Sequence, residues 1–311
     1  MHPWNEPILD SIRERTGRLP HALLIHGARG VGKMALAERI SQLLLCESAD
    51  AARRPCDACD ACRWYVAGNH PDLRRVEPEA LQKPVENAED EPPAKKTRPS
   101  TEIKIAQVRE LAQFLNLRSH RGAYRVAIVH PAETMNENTS NALLKGLEEP
   151  PAGAVFLLVS HSPALLLPTI RSRCQAVPVA VPPADLAMSW LESQGTKDAG
   201  RWLAYAGGAP LRALEYAEQG AVIDRLLKSP GLVEDRDALP LLADALQKVA
   251  LDRVFAGFGL EPKYRTGAGK PADVRAWLAF ARRMGEERQL AQHEVNPKLF
   301  SAQLLSSRPK N

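Results

Sequence analysis

Ala22 to Ile25 is an unbroken apolar run, and after a glycine-rich break apolar residues recur at 36, 37, 40, 43 and 44, one face of a helix over Ala35 to Leu45. The alternation repeats downstream. Apolar positions 105, 108, 111, 112 and 115 mark a second helical face, and Arg125-Val126-Ala127-Ile128-Val129 has the length and β-branched content of a buried strand. Asn138 to Pro151 opens polar, carries an apolar stripe and stops at Pro150-Pro151, which predicts another helix. Ala154 to Val159 predicts the next buried strand, and a short final one falls within Gln175 to Val181. Strands alternating with helices imply a parallel sheet covered on both faces.

Pro182-Pro183 ends that rhythm, and the remainder reads as helix. Residues 184 to about 221 form a small helical unit interrupted at Gly207-Gly208, and longer amphipathic stretches follow, such as Asp237 to Ala250 and Ala272 to Arg288. The expected organisation is an α/β domain over 1–182, a small helical domain over 183–221 and a second all-α domain over 222–311, with no fixed-period repeat. Residues 83–101 interrupt the first domain with four prolines, an acidic cluster and then Lys95, Lys96 and Arg98. Such a segment buries too little apolar surface to offset its ordering entropy, which predicts a mobile insertion whose charges are solvated.

Composition narrows the partners. A formal charge of +4 over 311 residues is small, so any nucleic-acid contact has to come from a local patch. Neither a leader-like start nor a run of about 18 apolar residues occurs, so the expected protein is soluble and cytoplasmic, without a membrane partner.

Gly27-Ala28-Arg29-Gly30-Val31-Gly32-Lys33 satisfies the phosphate-loop pattern between its strand and its helix. In that setting the loop amides and the helix start hold phosphates, with Lys33 as a point charge near the outer ones. Met34 then stands where Ser or Thr would ligate magnesium, and a thioether is a poor ligand for a hard cation. The strand at 125–129 ends in His130-Pro131, with no carboxylate to hold the magnesium shell; Glu133 lies beyond, in a turn or helix start. Alone, this is an ordinary central strand closed by a proline turn. Together the two losses argue against metal-assisted hydrolysis.

Cys46, Cys56, Cys59 and Cys62 hold four of the five cysteines, the last three as Cys-x-x-Cys-x-x-Cys. Thiolates at this spacing converge on one ion, with Cys46 supplying the fourth corner of a tetrahedron. Free thiols, disulfides and an iron–sulfur cluster are the competing readings; a structural zinc is the one adopted, closed to substrate because all four positions are filled by protein. His70, in Asn69-His70-Pro71-Asp72, is a conceivable substitute for Cys46 but reads as a turn residue that hydrogen-bonds locally.

Gly-x-x-x-x-Gly-Lys, the four-cysteine module, Asn141-Ala142-Leu143-Leu144-Lys145-Gly146-Leu147-Glu148-Glu149-Pro150-Pro151 and Ile170-Arg171-Ser172-Arg173-Cys174 together resemble the clamp-loader subunits of bacterial DNA polymerase III, of the AAA+ class. The resemblance covers residues 20–182 and rests on the order and spacing of all these motifs. It implies an α/β parallel-sheet P-loop (AAA+) domain with an inserted zinc knuckle, followed by a helical lid and a helical collar. Motor subunits of the family carry Lys-Ser/Thr in the loop and an Asp-Glu pair after the third strand; Lys33-Met34 and His130-Pro131 depart from both, as in the family's stator member.

The resemblance further implies a hetero-pentamer with delta and gamma or tau subunits, which loads the sliding beta clamp on primed DNA as part of the polymerase III holoenzyme, a replisome-associated nucleotidyltransferase. An arginine in a loop is ordinarily a solvated surface residue; by the match, Arg173 is an arginine finger acting in trans. Gly27, Gly32 and Lys33 would form a degenerate loop that binds ATP without hydrolysing it, the four cysteines would hold zinc, Ser160 would occupy the first sensor region and Arg212 would lie near the second. Two other readings stand beside this one. An active motor ATPase needs Met34 and His130-Pro131 bypassed, and a zinc-dependent nucleic-acid module is disfavoured by Asp57 and Asp60 between the cysteines.

Overall fold

A computed structural model describes residues 1–82, 99–117, 119–120, 124–291 and 295–309. Most of the expected insertion, with Lys95, Lys96 and Arg98, lies outside the described residues, as do Arg118 and Arg121. The chain divides into two compact units, Met1–Val181 and Pro182–Asn311, at the double proline.

The first unit is built on five parallel strands: β1 (Ala22–His26), β2 (Leu73–Val76), β3 (Arg125–Val129), β4 (Ala154–Ser160) and β5 (Gln175–Pro178), in the spatial order β2-β3-β4-β1-β5. The central strands β3 and β4 are buried along their whole length, as continuous apolar runs require in a sheet covered on both sides. Successive side chains leave opposite faces. Leu24, Ala127, Val129, Phe156 and Leu158 pack with α4 (Ile105–Asn116) and α5 (Glu137–Glu148). On the other face lies α2 (Lys33–Leu45), against which α1 (Glu6–Glu14) packs. Register aligns His26 with Ser160 across β1 and β4, and Val129 with Leu158 across β3 and β4. Three adjacent strands therefore deliver their following residues to one crevice at the C-terminal edge, the place where open α/β sheets bind ligands.

Two helices complete this unit: α3 (Asp60–Val66), which carries Cys62, and α6 (Pro168–Arg173). The second unit consists of α7 (Ala184–Ser193), α8 (Ala199–Tyr205), α9 (Pro210–Glu218), α10 (Gly220–Lys228), α11 (Leu239–Gly257), α12 (Val274–Leu290) and α13 (Pro297–Ser306). Its buried residues form one cluster around Leu191, Trp202 and Tyr216 and another around Leu242, Leu246, Trp277 and Met284. Asp244 and Lys248, both buried on α11, pair at 2.7 Å; Asp244 also accepts hydrogen bonds from the Tyr216 hydroxyl at 2.7 Å and from Arg288 at 3.1 Å.

Candidate functional site

Lys33 is the first residue of α2, two positions earlier than the start expected at Ala35, because the left-handed Gly32 turns the loop directly into the helix. Two glycines here are steric necessities. A Cβ on Gly27, whose φ is 150°, would lie 2.1 Å from the Val179 carbonyl oxygen, and one on Gly32 would lie 2.4 Å from the His2 ring. The segment before α1 covers the loop: the Trp4 indole donates to the Val31 carbonyl at 2.9 Å, and the Asn5 amide donates to the Val31 and Gly32 carbonyls at 3.1 and 3.2 Å. Lys33 folds back on its own loop, donating to the Gly27 and Ala28 carbonyls at 2.8 and 2.6 Å. Burial brings its pKa down to about 8, against the pull of Glu133 and with the push of Arg29.

His130 follows β3 and His161 follows β4, and their rings meet edge to face with centroids 5.4 Å apart. Glu133 sits in the one-turn helix Ala132–Thr134 and accepts the His161 backbone N–H at 2.9 Å. Burial, with Lys33 and Arg29 nearby, lowers the His130 pKa although Glu133 opposes it; burial, Lys33, His130 and Arg29 take His161 down to about 3. After β3 the crevice thus holds the imidazole of His130 where an ATPase of this pattern carries a carboxylate, with the His161 ring against it. Met34 is half-buried at the second position of α2. Ser160 ends β4 fully buried, its hydroxyl accepting the Ser162 N–H at 3.2 Å.

Arg173 is the last residue of the short helix α6 and not part of a loop, since Pro168 at its start sets helical geometry through Arg173. Its guanidinium donates to the Thr169 carbonyl at 3.0 Å and pairs with Glu148 at the end of α5 at 2.7 Å. It is 36% exposed, so the fork is aimed but not enclosed. Arg212 lies on α9, paired with Glu215 and stacked 4.3 Å from the Tyr216 ring.

The sulfur atoms of Cys46, Cys56, Cys59 and Cys62 all lie within 4.8 Å of one another, with Cys46 and Cys59 3.9 Å apart. Tetrahedral zinc, bound to sulfur at about 2.3 Å, spaces its ligands about 3.8 Å apart, so the four cysteines fit such an ion. Backbone N–H groups of Cys56, Cys59 and Cys62 point at the sulfurs of Cys46, Cys56 and Cys59, each at 3.4 Å, a pattern that stabilises thiolate. Asp57 carries the knuckle back to α2: Arg39 grips its two oxygens at 2.7 and 2.9 Å, and Gln42 adds a bond at 2.8 Å. His70 is outside this cluster and accepts the Asp72 N–H at 3.1 Å, a local turn bond.

The starts of α4 and α5 border one open cleft of about 740 Å³, lined by Lys104, Arg109, Asn136, Asn138, Thr139 and Asn141 among others. Asn136 caps α5 through the Thr139 N–H at 3.0 Å. Sequence reasoning passed over this cleft, as well as His161 and the Arg39–Asp57 grip; the polar residues directly after buried strands and before helices were the available signal.

Residues 8–182 match the family described as DNA polymerase III, delta subunit. A DNA polymerase III subunit delta' of Pseudomonas aeruginosa is 35% identical over 265 residues, which are 83% of this chain and 75% of that protein. The chain belongs to the DNA polymerase III delta' family. The Escherichia coli subunit delta' is 34% identical over 218 residues, 68% of this chain and 60% of that protein. A DNA polymerase III subunit tau of Salmonella typhimurium is 33% identical over 158 residues, 51% of this chain but 21% of its own. Among solved structures, a DNA polymerase III gamma subunit-related protein of Thermotoga maritima superposes with a TM-score of 0.55 at 18% identity, covering 96% of this chain and 97% of that one, which shows a shared fold. Family membership and sheet topology together establish an AAA+-like domain, and among the described residues no helix is long and apolar enough to cross a membrane.

Proposed function

We propose that this chain is the non-hydrolysing stator of a clamp loader, assembled with delta and gamma or tau subunits, and that it donates Arg173 to a neighbouring ATP site while the beta clamp is loaded on primed DNA. The observation that carries the reading is the crevice itself: neither Met34 nor His130 offers the hard oxygen that magnesium requires, and Lys33 is turned onto loop carbonyls. A planar fork tethered by Glu148 and Thr169 at the end of α6 suits delivery of charge to a partner's γ-phosphate. ATP would be held by the loop amides and Lys33 without being cleaved. Residues 183–221 would act as the lid and 222–311 as the collar. The two adjoining helix starts with Lys104 and Arg109 support a contact with the phosphate backbone of DNA in the assembled complex.

Zinc is the ion we assign to the four cysteines, because soft thiolates in a closed tetrahedron suit it and leave no position open to substrate. Its role is structural: it ties the end of α2 to α3.

The test is a reconstituted complex containing Arg173→Ala. Arginine fingers contribute about 10³–10⁵ in turnover at the site they serve, so the complex should assemble, lose clamp loading and lose part of its DNA-stimulated ATPase. Arg173→Lys should rescue poorly, as a point charge lacks the forked geometry. Wild-type loading by the alanine complex would remove Arg173 from the mechanism, and robust ATPase by the isolated chain, abolished by Lys33→Ala, would overturn the stator reading.

A further inference from the structure

Trp277 of α12 is fully buried, yet its indole N–H has no acceptor, and two arginines from other elements lie against its ring. Arg253 of α11 places its guanidinium carbon 4.6 Å from the ring centroid, and Arg308, in the turn after α13, places its own at 5.7 Å. The Arg308 N–H fixes that turn by donating to the Leu305 carbonyl at 3.2 Å. The Arg253 Nε–H is also out of water and without an acceptor.

No counter-charge answers these two cations. Arg201, Arg212, Arg283 and Arg288 of the same unit pair with carboxylates, but among the described residues Arg253 and Arg308 pair with none. The sequence explains why: one turn to either side of Arg253 on α11 stand Val249, Ala250, Ala256 and Gly257, and Leu304 and Leu305 precede Arg308 by a turn. The nearest acids in sequence are committed elsewhere. Asp252 accepts the Tyr264 and Thr266 N–H groups at 2.8 Å each, and Asp273 accepts those of Arg275 and Ala276 at 2.9 and 3.0 Å. A single arginine stacked on an aromatic face leaves its N–H edges in water. Two on one ring repel each other, and burial together with the Arg308 charge draws the Arg253 pKa below its usual value. Both side chains are half-buried, so part of each stays open to solvent. Buried donors without acceptors and two cations without a counter-charge call for one kind of partner, an anion with several acceptor oxygens.

We propose that Arg253, Trp277 and Arg308 form a binding site for a phosphate dianion, the group carried by inorganic phosphate and by the terminal phosphate of a nucleic-acid strand. A phosphate monoester brings about −1.5 to −2 charges near pH 7 and three acceptor oxygens, which suits two guanidinium forks on separate elements; a carboxylate balances only one of them. A bound phosphate ties the end of α13 to α11 and α12. No bond in the ligand is made or broken.

The test follows the Trp277 indole N–H by nuclear magnetic resonance in the full chain, with its signal assigned through Trp277→Phe. At fixed ionic strength and about pH 7.5, where the phosphate is mostly dianionic, the probes are inorganic phosphate, acetate, and a short single strand with and without a terminal phosphate. Inorganic phosphate should move the signal saturably and bind at least about tenfold more tightly than acetate. Arg253→Gln and Arg308→Gln should each weaken binding by about tenfold or more, and Arg253→Lys should rescue poorly. A response to the phosphorylated strand and not to its unphosphorylated twin assigns the site to strand ends; a response to inorganic phosphate with neither strand acting assigns it to the free ion. Should a variant fold poorly, protection of Arg253 and Arg308 from phenylglyoxal by phosphate in the wild-type chain, read by peptide mass, reports the same contact. A shift that does not saturate, an equal affinity for acetate, equal action of the two strands, unchanged affinity in both glutamine variants, or unprotected guanidiniums would each overturn the proposal. The site shares no residue with the phosphate loop or with Arg173, so the stator reading stands or falls separately.

Discussion

Asp244→Ala is the substitution that the helical unit should tolerate least, and the structure sets its cost. The carboxylate is 2% exposed and accepts from Lys248, Tyr216 and Arg288. Burial opposes its ionisation, yet Lys248, Tyr216 and Arg288 hold its pKa below the usual range. Lys248 is itself buried, 3.8 and 3.9 Å from the Tyr205 and Tyr216 ring centroids, and burial lowers its pKa to about 8 even with Asp244 beside it. Without Asp244 the ammonium does not stay charged at any cost: near pH 7 it sheds its proton, which caps the added penalty on Lys248 at about 1.4 kcal/mol, the worth of one pH unit. Leaving the Tyr216 hydroxyl buried and unpaired adds about 1–3 kcal/mol, and the half-exposed Arg288 arm adds under about 1 kcal/mol. The expected loss is about 3–5 kcal/mol, as for other broken buried pairs.

This cost has a pH signature. The folded pKa of Lys248 is about 8 against 10.5 unfolded, so the unfolded chain binds the extra proton in that window and wild-type stability rises with pH across it. In the variant the rise begins lower, and the deficit should narrow by about 1 kcal/mol between about pH 7 and pH 9.5. Urea unfolding at the two pH values, with hydrogen exchange of α9, α11 and α12 peptides to locate the change, makes the measurement. A deficit under about 1 kcal/mol, or one that widens with pH, would refute the reasoning.

Two further outcomes are expected. The chain should carry one zinc bound through sulfur, and Arg39→Ala, by freeing Asp57, should speed its loss to a chromophoric chelator by about tenfold or more; an unchanged rate would show that the grip does not serve the centre. Gly27→Ala forces its Cβ against the Val179 carbonyl and should destabilise the β1–β5 edge by about 1–3 kcal/mol, read as faster exchange of the Val179 amide, which now bonds the His26 carbonyl at 2.7 Å; unchanged protection would mean that the strand simply moves aside.

The strands Arg125–Val129 and Ala154–Ser160 were legible in the sequence because burial on both faces leaves continuous apolar runs. The strand Leu73–Val76 was implied by the family's order but not located, since it is short and only its two ends are buried, a pattern too brief to distinguish from loop. Arg173 was expected on a loop because six residues from Pro168 are too few to show a helical period. The cysteine cluster was readable from spacing alone, whereas the Arg39–Asp57 grip joins residues 18 positions apart and has no local signal. Asp244 and Lys248 are spaced like an ordinary solvated pair on a helix surface; Tyr205 of α8, Tyr216 of α9 and Tyr264, packed over Lys248, help to make the pair internal.

The order β2-β3-β4-β1-β5 has a consequence for synthesis on the ribosome. β1 emerges before the other four strands and finds its sheet partners only in β4 and β5, with Ala22 pairing to Phe156 and Leu23 to Gln175. At about 5–20 residues per second the strand waits on the order of ten seconds, its apolar run uncovered and its glycine loop unformed, until residues beyond 175 have left the exit tunnel. Translation stalled anywhere between the cysteine knuckle and Arg173 therefore leaves an exposed Ala22–Ile25 segment, a natural substrate for nascent-chain chaperones.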